Sequence, residues 1–314
     1  MNHQASKMDL SIVIPVYSSQ ESLPALLNTF SLIDVECSWE LVFVEDGSPD
    51  ASYSVLLDHL RRMSTINATV VRHTRNYGEH QAVLTGYRYS KGRYIVNIDD
   101  DMQNPPEEAF RLFDYAVRHG IDVLYGDYTK KQHQRWRNLG SRAANITANY
   151  LLDLPTNLYL SSFRCVESSI AKIAANYKGP YPYIDGLLSQ CTKNIDSIEV
   201  LHMPREYGNS TYNLRRLLRL WLNIFTSFSL MPLRLSSLIG ASTAILGLVG
   251  IAYVLINTLL FGEVVSGWAS LICVMLLFGG LQSMMIGIVG EYVGRILLTV
   301  SAKPQSNVRS VEII

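Results

Sequence analysis

Short β-branched runs alternate with amphipathic stretches along the first hundred residues. "LSIVIPV" (10–16), "WELVFVE" (39–45), "ATVVRH" (68–73) and "RYIVNID" (93–99) predict strands. Between them, residues 21–30, 51–63 and 79–89 carry apolar side chains at helical spacing. Strand and helix in strict alternation predict an α/β domain with a mostly parallel sheet covered on both faces.

The pattern changes beyond residue 213. Residues 233–298 hold only Arg234, Glu263, Glu291 and Arg295 as charges. Two runs, 235–261 and 268–289, each exceed the about 18 apolar residues that a membrane crossing needs. A buried hairpin of a soluble protein is the competing reading. The connecting "GEVVSG" has no Lys or Arg, whereas Arg215, Arg216, Arg219 and Arg234 precede the pair and Arg295, Lys303 and Arg309 follow it. The positive-inside rule then predicts an inner-membrane protein with both termini cytoplasmic. In "NLRRLLRLWLNIFTSFSLMP" (213–232), Leu214, Leu217, Leu218, Trp221 and Leu222 recur near helical spacing beside arginines, as in a helix lying on an anionic leaflet. The expected organisation is a cytoplasmic domain over 1–212, an interfacial helix over 213–232, a two-helix transmembrane hairpin over 233–298 and a cytoplasmic tail over 299–314.

Composition excludes several classes. The formal net charge is zero, which gives no argument for nucleic acid. Four cysteines show neither metal-ligand spacing nor a disulfide framework, and seven scattered histidines form no ligand cluster. The start, "MNHQASKMDL", lacks a long apolar run, so no signal peptide is expected. Neither a dinucleotide fingerprint nor a P-loop follows any predicted strand.

Ligands of open parallel sheets bind beyond the carboxyl ends of the strands. Those ends read "PVYSS", "VEDGSPD", "RHTRNYG" and "NIDDDMQNPP". Each alone is explained by a turn or a helix cap; four together point to a nucleotide and metal site. Asp99, Asp100 and Asp101 are costly beside a buried strand unless a cation compensates them. If the extended backbone continues past Asp99, the outer pair shares one side and Asp100 faces the other, where it is dispensable for chemistry.

With "PVY", "VEDGSPD", "RNYGEHQAVLTGY", "IDDDMQNPPEE", "REYGNSTYN" and "GIVGEYVGRI" in this order, the chain resembles the family 2 glycosyltransferases of GT-A (Rossmann-like) fold. It is most similar to their polyprenyl-phosphate branch, that of dolichyl-phosphate mannose synthase, bactoprenol glucosyltransferases and undecaprenyl-phosphate aminoarabinose-formyl transferase. The resemblance implies that Pro15, Tyr17, Asp46 and Arg75 line the nucleotide-sugar pocket, with Asp46 accepting from the base. It implies that Asp99, Asp101 and Gln103 hold Mg²⁺ or Mn²⁺ and through it the donor diphosphate. A lipid phosphate acceptor is already ionised and needs positive charge rather than a strong base. Arg137, Ser141, Arg164 and Arg205 would supply that contact, Arg137 and Arg164 serving the transfer itself.

Ser18 and Ser19 stand where the family reads Asn-Glu, Thr211 stands where a Lys is usual, and Asp100 replaces a small residue. Gln132, Arg135 and Trp136 spell the Q-x-x-R-W of processive synthases, but lack the acidic acceptor motif that should precede it. The expected function is inverting, metal-dependent transfer of a single sugar from a nucleotide sugar, UDP being the expected nucleotide, to undecaprenyl phosphate. A processive polysaccharide synthase and a non-catalytic membrane scaffold are the alternatives. The sugar and any homo-oligomer are left open.

Overall fold

A computed structural model of the chain describes residues 8–63, 66–128, 154–155, 158–179, 182–204, 231–261, 267–301 and 305–314. It divides into two compact units, Met1–Trp221 with Lys303–Ile314, and Leu222–Ala302. The interfacial helix expected over 213–232 falls almost wholly outside the described residues, as do Thr211 and the Q-x-x-R-W segment.

The first unit begins with the expected alternation: β1 (Leu10–Val16), α1 (Leu23–Ser31), β2 (Trp39–Glu45), α2 (Ser52–Arg62), β3 (Ala68–His73), α3 (Glu79–Tyr89) and β4 (Tyr94–Asn97). It continues with α4 (Pro106–His119), β5 (Val123–Asp127), β6 (Arg164–Glu167), α5 (Ser168–Ala175), α6 (Ile184–Cys191) and β7 (Ile195–Glu199). Helix α4 begins on a proline, carries Glu107 and Glu108 in its first turn, and ends at Gly120 in the left-handed conformation. That is how "NPPEE…HG" should start and stop a helix.

The sheet has eight strands in the order β7-β5-β6-β4-β1-β2-β3-β8, where β8 is Val308–Ile313. Strand β1 lies parallel to β2 on one side and to β4 on the other, with Val16 opposite Glu45 and Val13 opposite Asn97. The expectation of a mostly parallel sheet holds for β1 to β4 and gives way to a mixed sheet outside them, because β6 runs antiparallel to β4 and β5, and β8 antiparallel to β3. Leu10, Ile12, Val13, Ile14 and Val16 of β1 are wholly buried, so this central strand is apolar on both faces.

Two helices of the first unit cap one another. Lys172 Nζ of α5 donates to the carbonyls of Tyr87, Arg88 and Ser90 at the carboxyl end of α3, at 2.5, 3.0 and 2.7 Å. Arg88 returns two bonds to Ala175 O at the end of α5, at 2.9 and 2.8 Å. Both cations satisfy carbonyls that have no partner inside a helix. Helix α3 is thereby anchored at the end opposite the loops.

The second unit holds α7 (Met231–Phe261) and α8 (Trp268–Val300). Within them Leu233–Gly250 and Leu277–Val300 are long and apolar enough to cross a membrane, and 6% and 0% of these windows are buried. Apolar side chains left outside in this way are costly in water and stable in lipid, which distinguishes these helices from the core of a soluble protein.

Residues 299–314, set apart as a tail on the sequence, do something the hydropathy pattern does not show. Strand β8 returns to the first unit and adds to the free edge of β3, pairing Thr69 with Ile313 and Val71 with Val311. Ala68 and Ile314 exchange both backbone bonds, at 3.0 and 2.9 Å, and Thr74 N donates to Asn307 O at 3.0 Å. A chain cut at Pro204 therefore loses an edge strand as well as its membrane helices, and exposes β3. We expect that chain to melt at lower temperature and to aggregate, and to recover when residues 305–314 are joined to it by a long Gly/Ser linker. Equal melting midpoints with and without those residues, read by intrinsic fluorescence, would contradict the role of β8.

Candidate active site

The order of strands reverses at β1. The chain builds outward from β1 through β2 and β3, then crosses back to place β4 on the other side. In open α/β sheets ligands bind beyond the carboxyl ends of the strands at such a point.

The loop after β1 carries Tyr17, which is exposed, and Ser18 and Ser19. It is fastened to the loop after β2, since Ser18 N donates to Ser48 Oγ at 3.1 Å and Ser19 N to Ser52 Oγ at 2.8 Å. The β2 loop in turn presses on the β3 loop. Gly47 has φ +65, and a Cβ there would lie 2.5 Å from the carbonyl carbon of Arg75. Both conformation and space exclude a side chain at this point.

Asp46 is 2% exposed and accepts three bonds: from Tyr77 N at 2.9 Å, Gly78 N at 2.7 Å and His73 Nδ1 at 2.7 Å. Nε2 of His73 lies 3.0 Å from Thr85 Oγ1, which lies 3.3 Å from Ser306 Oγ. The carboxylate expected to meet the base thus holds the β3–α3 turn in place. Arg75 is exposed, its guanidinium 4.8 Å from the Tyr77 ring centroid.

Strand β4 stops at Asn97, so the extended backbone that would set the three aspartates on alternating sides ends before them. They point apart nonetheless, through a turn. Asp99 accepts from Ser162 Oγ at 2.7 Å and Asp101 from Gln103 N at 3.1 Å. Asp100 faces the β1 loop, where Oδ2 accepts from the Ser19 hydroxyl and, at 3.4 Å, from Tyr17 N. The strand geometry expected to set Asp100 opposite the outer pair is thus absent, and Asp100 instead turns to the β1 loop.

Gln103 Nε2 lies 3.4 Å from both Met203 O and His202 Nε2, and Gln103 O accepts from Met203 N at 2.7 Å. The segment around His202 thereby holds the aspartate loop from below. Ser162 and His202 carry no sequence signal of their own; only the pairing of distant segments shows them.

The negative charge here is poorly compensated. Burial pushes the Asp99 carboxyl up to about 7, Glu79 and Asp101 adding to the shift while Ser162 and Arg164 oppose it. Burial likewise carries Asp100 to about 7, against the bond from Ser19 and with Asp99 and Asp101 adding. Glu79 is open to solvent on one side with protein around it on the others; desolvation raises its carboxyl too, with Asp185 and Asp101 adding and Arg164 opposing. Crowded oxygen donors of this hardness suit Mg²⁺ or Mn²⁺. Among the described residues no group of three or more carboxylate, His or Cys side chains is arranged to hold an ion.

Arg164 is 3% exposed and paired with Asp185, which also accepts from Tyr125 OH at 2.9 Å. Burial opposes the guanidinium charge, yet Asp185 and the neighbouring phenols hold its pKa above the ordinary value. This cation is committed to a buried carboxylate, so removing either partner costs about 3 to 5 kcal/mol of stability. Nearby, His80 packs edge-on to Tyr183 at 5.6 Å, and burial lowers its imidazole to about 4. Its Nδ1 has no hydrogen-bond partner among the described residues. Arg137, Ser141 and Arg205 lie outside them.

Residues 11–168 match the model of glycosyl transferase family 2. Undecaprenyl-phosphate 4-deoxy-4-formamido-L-arabinose transferase of Pseudomonas aeruginosa (strain LESB58) is 33% identical over 303 residues, spanning 94% of this chain and 88% of that protein. Its counterpart in Yersinia pestis bv. Antiqua (strain Angola) is 33% identical over 306 residues, spanning 96% and 93%. Glucosyl-3-phosphoglycerate synthase from Mycobacterium tuberculosis, solved with Mn²⁺, UDP and phosphoglyceric acid, superposes with a TM-score of 0.51 at 15% identity, covering 70% of this chain and 76% of that one. That likeness bears on the fold.

A carboxyl raised by the fold is more often protonated in the folded than in the unfolded chain. Its contribution to stability is therefore present in acid and lost as pH rises from the ordinary carboxylate range through about 7. We expect Asp99→Asn to raise the melting midpoint of the chelator-treated protein at pH 8 and to leave it nearly unchanged at pH 4. A fall at pH 8 would show the carboxylate to be compensated already. Gly47→Ala should lower the midpoint at every pH and weaken nucleotide binding, because the β2 and β3 loops must part; unchanged binding would place the ligand elsewhere.

Proposed function

Because the chain belongs to glycosyl transferase family 2, we propose that it moves one sugar from a nucleotide sugar, UDP-linked, to undecaprenyl phosphate at the cytoplasmic face of the inner membrane, by an inverting, divalent-metal-dependent displacement. The observation that carries this reading is the crowding of poorly compensated carboxylates at the switch point, beside Tyr17 and on a chain with two membrane-length helices. Two relatives named for transfer to undecaprenyl phosphate and similar over nearly the whole chain support it.

In this reading Asp99 and Asp101 hold Mg²⁺ or Mn²⁺, with Gln103 beside them. Bound there, the ion would neutralise charge on the departing nucleoside diphosphate. Pro15 and Tyr17 flank the nucleoside. Asp46 keeps a firm β3–α3 turn beneath it, and any contact with the base would use lone pairs left over from its three present bonds. Arg75 faces the donor end from the β3 loop. Asp185 is the proposed partner for a hydroxyl or amine of the sugar, and Arg164 sets its position. Arg137, Ser141 and Arg205 take the acceptor phosphate, which needs counter-charge rather than deprotonation. Arg164, being paired, would serve the acceptor only if Asp185 releases it. Since β8 rejoins the sheet of the first unit, both ends of the helix pair lead into one body, which supports an even number of crossings and cytoplasmic termini.

The test is incubation of the purified chain with undecaprenyl phosphate, Mn²⁺ or Mg²⁺ and a panel of nucleotide sugars, the lipid product being identified by mass. A single added sugar is expected; a ladder of masses would favour a polymerase, and no product with any donor a scaffold. Asp99→Asn and Asp101→Asn should each slow transfer at least about a hundredfold, about 2.7 kcal/mol of transition-state stabilisation. Full activity in either variant would remove that residue from the metal site.

A further inference from the structure

Asp100 is an acidic residue of the candidate site that the proposed chemistry does not use. It stands between two inferred cation ligands, where a third negative charge weakens the fold, so its presence calls for a reason. Its carboxylate faces neither Asp99's partner nor Asp101's. Oδ2 reaches across the switch point to the Ser19 hydroxyl and to Tyr17 N, joining the loop after β4 to the loop after β1. Ser19 is nearly buried, and its hydroxyl has Tyr17 O, at 3.1 Å, as its other acceptor.

Backbone conformation marks the same two loops. Among the described residues, the non-glycine residues with positive φ are Ser18, at 56°, and Met102, at 63°. One lies in each loop, directly beside the segments that Asp100 joins. Such conformations persist only where the surroundings enforce them. The β1 loop is already held on its β2 side, where Ser48 and Ser52 accept from the amides of Ser18 and Ser19. Asp100 braces it on the β4 side.

We propose that Asp100 is a positioning residue which ties the β1 loop bearing Tyr17 to the β4 loop bearing Asp99 and Asp101, and so keeps the nucleoside-binding and cation-binding sides of the donor site in register. The proposal rests on the donor reading above, and it replaces the expectation that the middle aspartate is dispensable. It assigns Asp100 no contact with metal or substrate. An amide at this position still accepts from Ser19 and Tyr17, whereas a methyl group does not.

The test uses uridine, which has no phosphate for a metal to hold, together with UDP and Mn²⁺, on the full-length chain in detergent by calorimetry. Asp100→Ala should weaken uridine binding without metal by at least about fivefold, the loss of a hydrogen bond to a charged acceptor, and raise the donor KM with kcat within about twofold. Asp100→Asn should keep uridine affinity within about twofold of the parent. Ser19→Ala should reproduce the alanine defect, and the double variant should be no worse than either single one. Mn²⁺ affinity without nucleotide should fall by less than about threefold in all four, the loss of a neighbouring charge rather than of a ligand. Normal uridine binding by Asp100→Ala overturns the proposal, as does an asparagine variant as weak as the alanine one. A tenfold loss of Mn²⁺ affinity in Asp100→Ala would make Asp100 a ligand and overturn it equally. If the unmutated chain binds neither uridine nor UDP, the donor reading itself fails and the proposal with it; that failure shows before any variant is made.

Discussion

The parallel pairing of β1 with β2 and β4 is the contact on which the site depends. Burying its five wholly enclosed apolar side chains contributes about 1.5 to 3 kcal/mol each for the larger ones, which anchors β1 firmly at the centre of the sheet. A slip of one residue would turn every side chain to the opposite face, so the register of Val13 with Asn97 and of Val16 with Glu45 is closely defined. That register brings the loops after β1, β2 and β4 out of the sheet at matching heights. Ser19 meets Asp100 and Ser52, and Ser18 meets Ser48, for this reason.

Around that frame the molecule distributes charge unevenly. Its deeply buried cation, Arg164, is neutralised by Asp185 and satisfied further by Ser162 O at 3.3 Å, making a packed polar unit with Tyr125. Asp99 lies within reach of the charges of both Glu79 and Asp101, and Asp100 within reach of those of Asp99 and Asp101. Among the described residues none of Asp99, Asp100 and Glu79 has a comparably paired cation, and their carboxyls are held above the ordinary range. The first arrangement stabilises the fold once formed. The second weakens it as the carboxyls ionise, a tension that is common where function needs unpaired charge.

The C-terminal strand changes how the membrane part is connected. A strand edge left at β3 would offer Val70 and Val71 to any passing chain; β8 covers it with alternating residues that include Arg309 and Glu312. The residues just before β8 also join the hydrogen-bonded line from Ser306 through Thr85 and His73 to Asp46. The part of the chain that follows the apolar helices is thus built into the wall of the candidate site, and hydropathy alone gives no sign of it.

Most of the scaffold was legible in the residues. Strands β1, β2 and β3 and helix α3 fall where the periodicity put them, because long apolar runs bounded by turn residues have few other stable conformations. The two apolar helices and the family likeness were equally plain, the first from an excess of apolar residues and the second from motifs in a fixed order. Strands β5 to β8 were not legible. They are short, several carry charge, and β7 and β8 are half-exposed edge strands whose place depends on finding a partner far along the chain. The same holds inside the site. Composition and spacing by themselves determined that Asp99, Asp100 and Asp101 would stand at the end of a strand and need a counter-charge. Only the tertiary structure decided that Asp99 would meet Ser162, that Asp100 would meet Ser19 and that Arg164 would be taken by Asp185. Each of those bonds joins residues twenty or more positions apart, and distance along the chain says nothing of nearness until the sheet has closed.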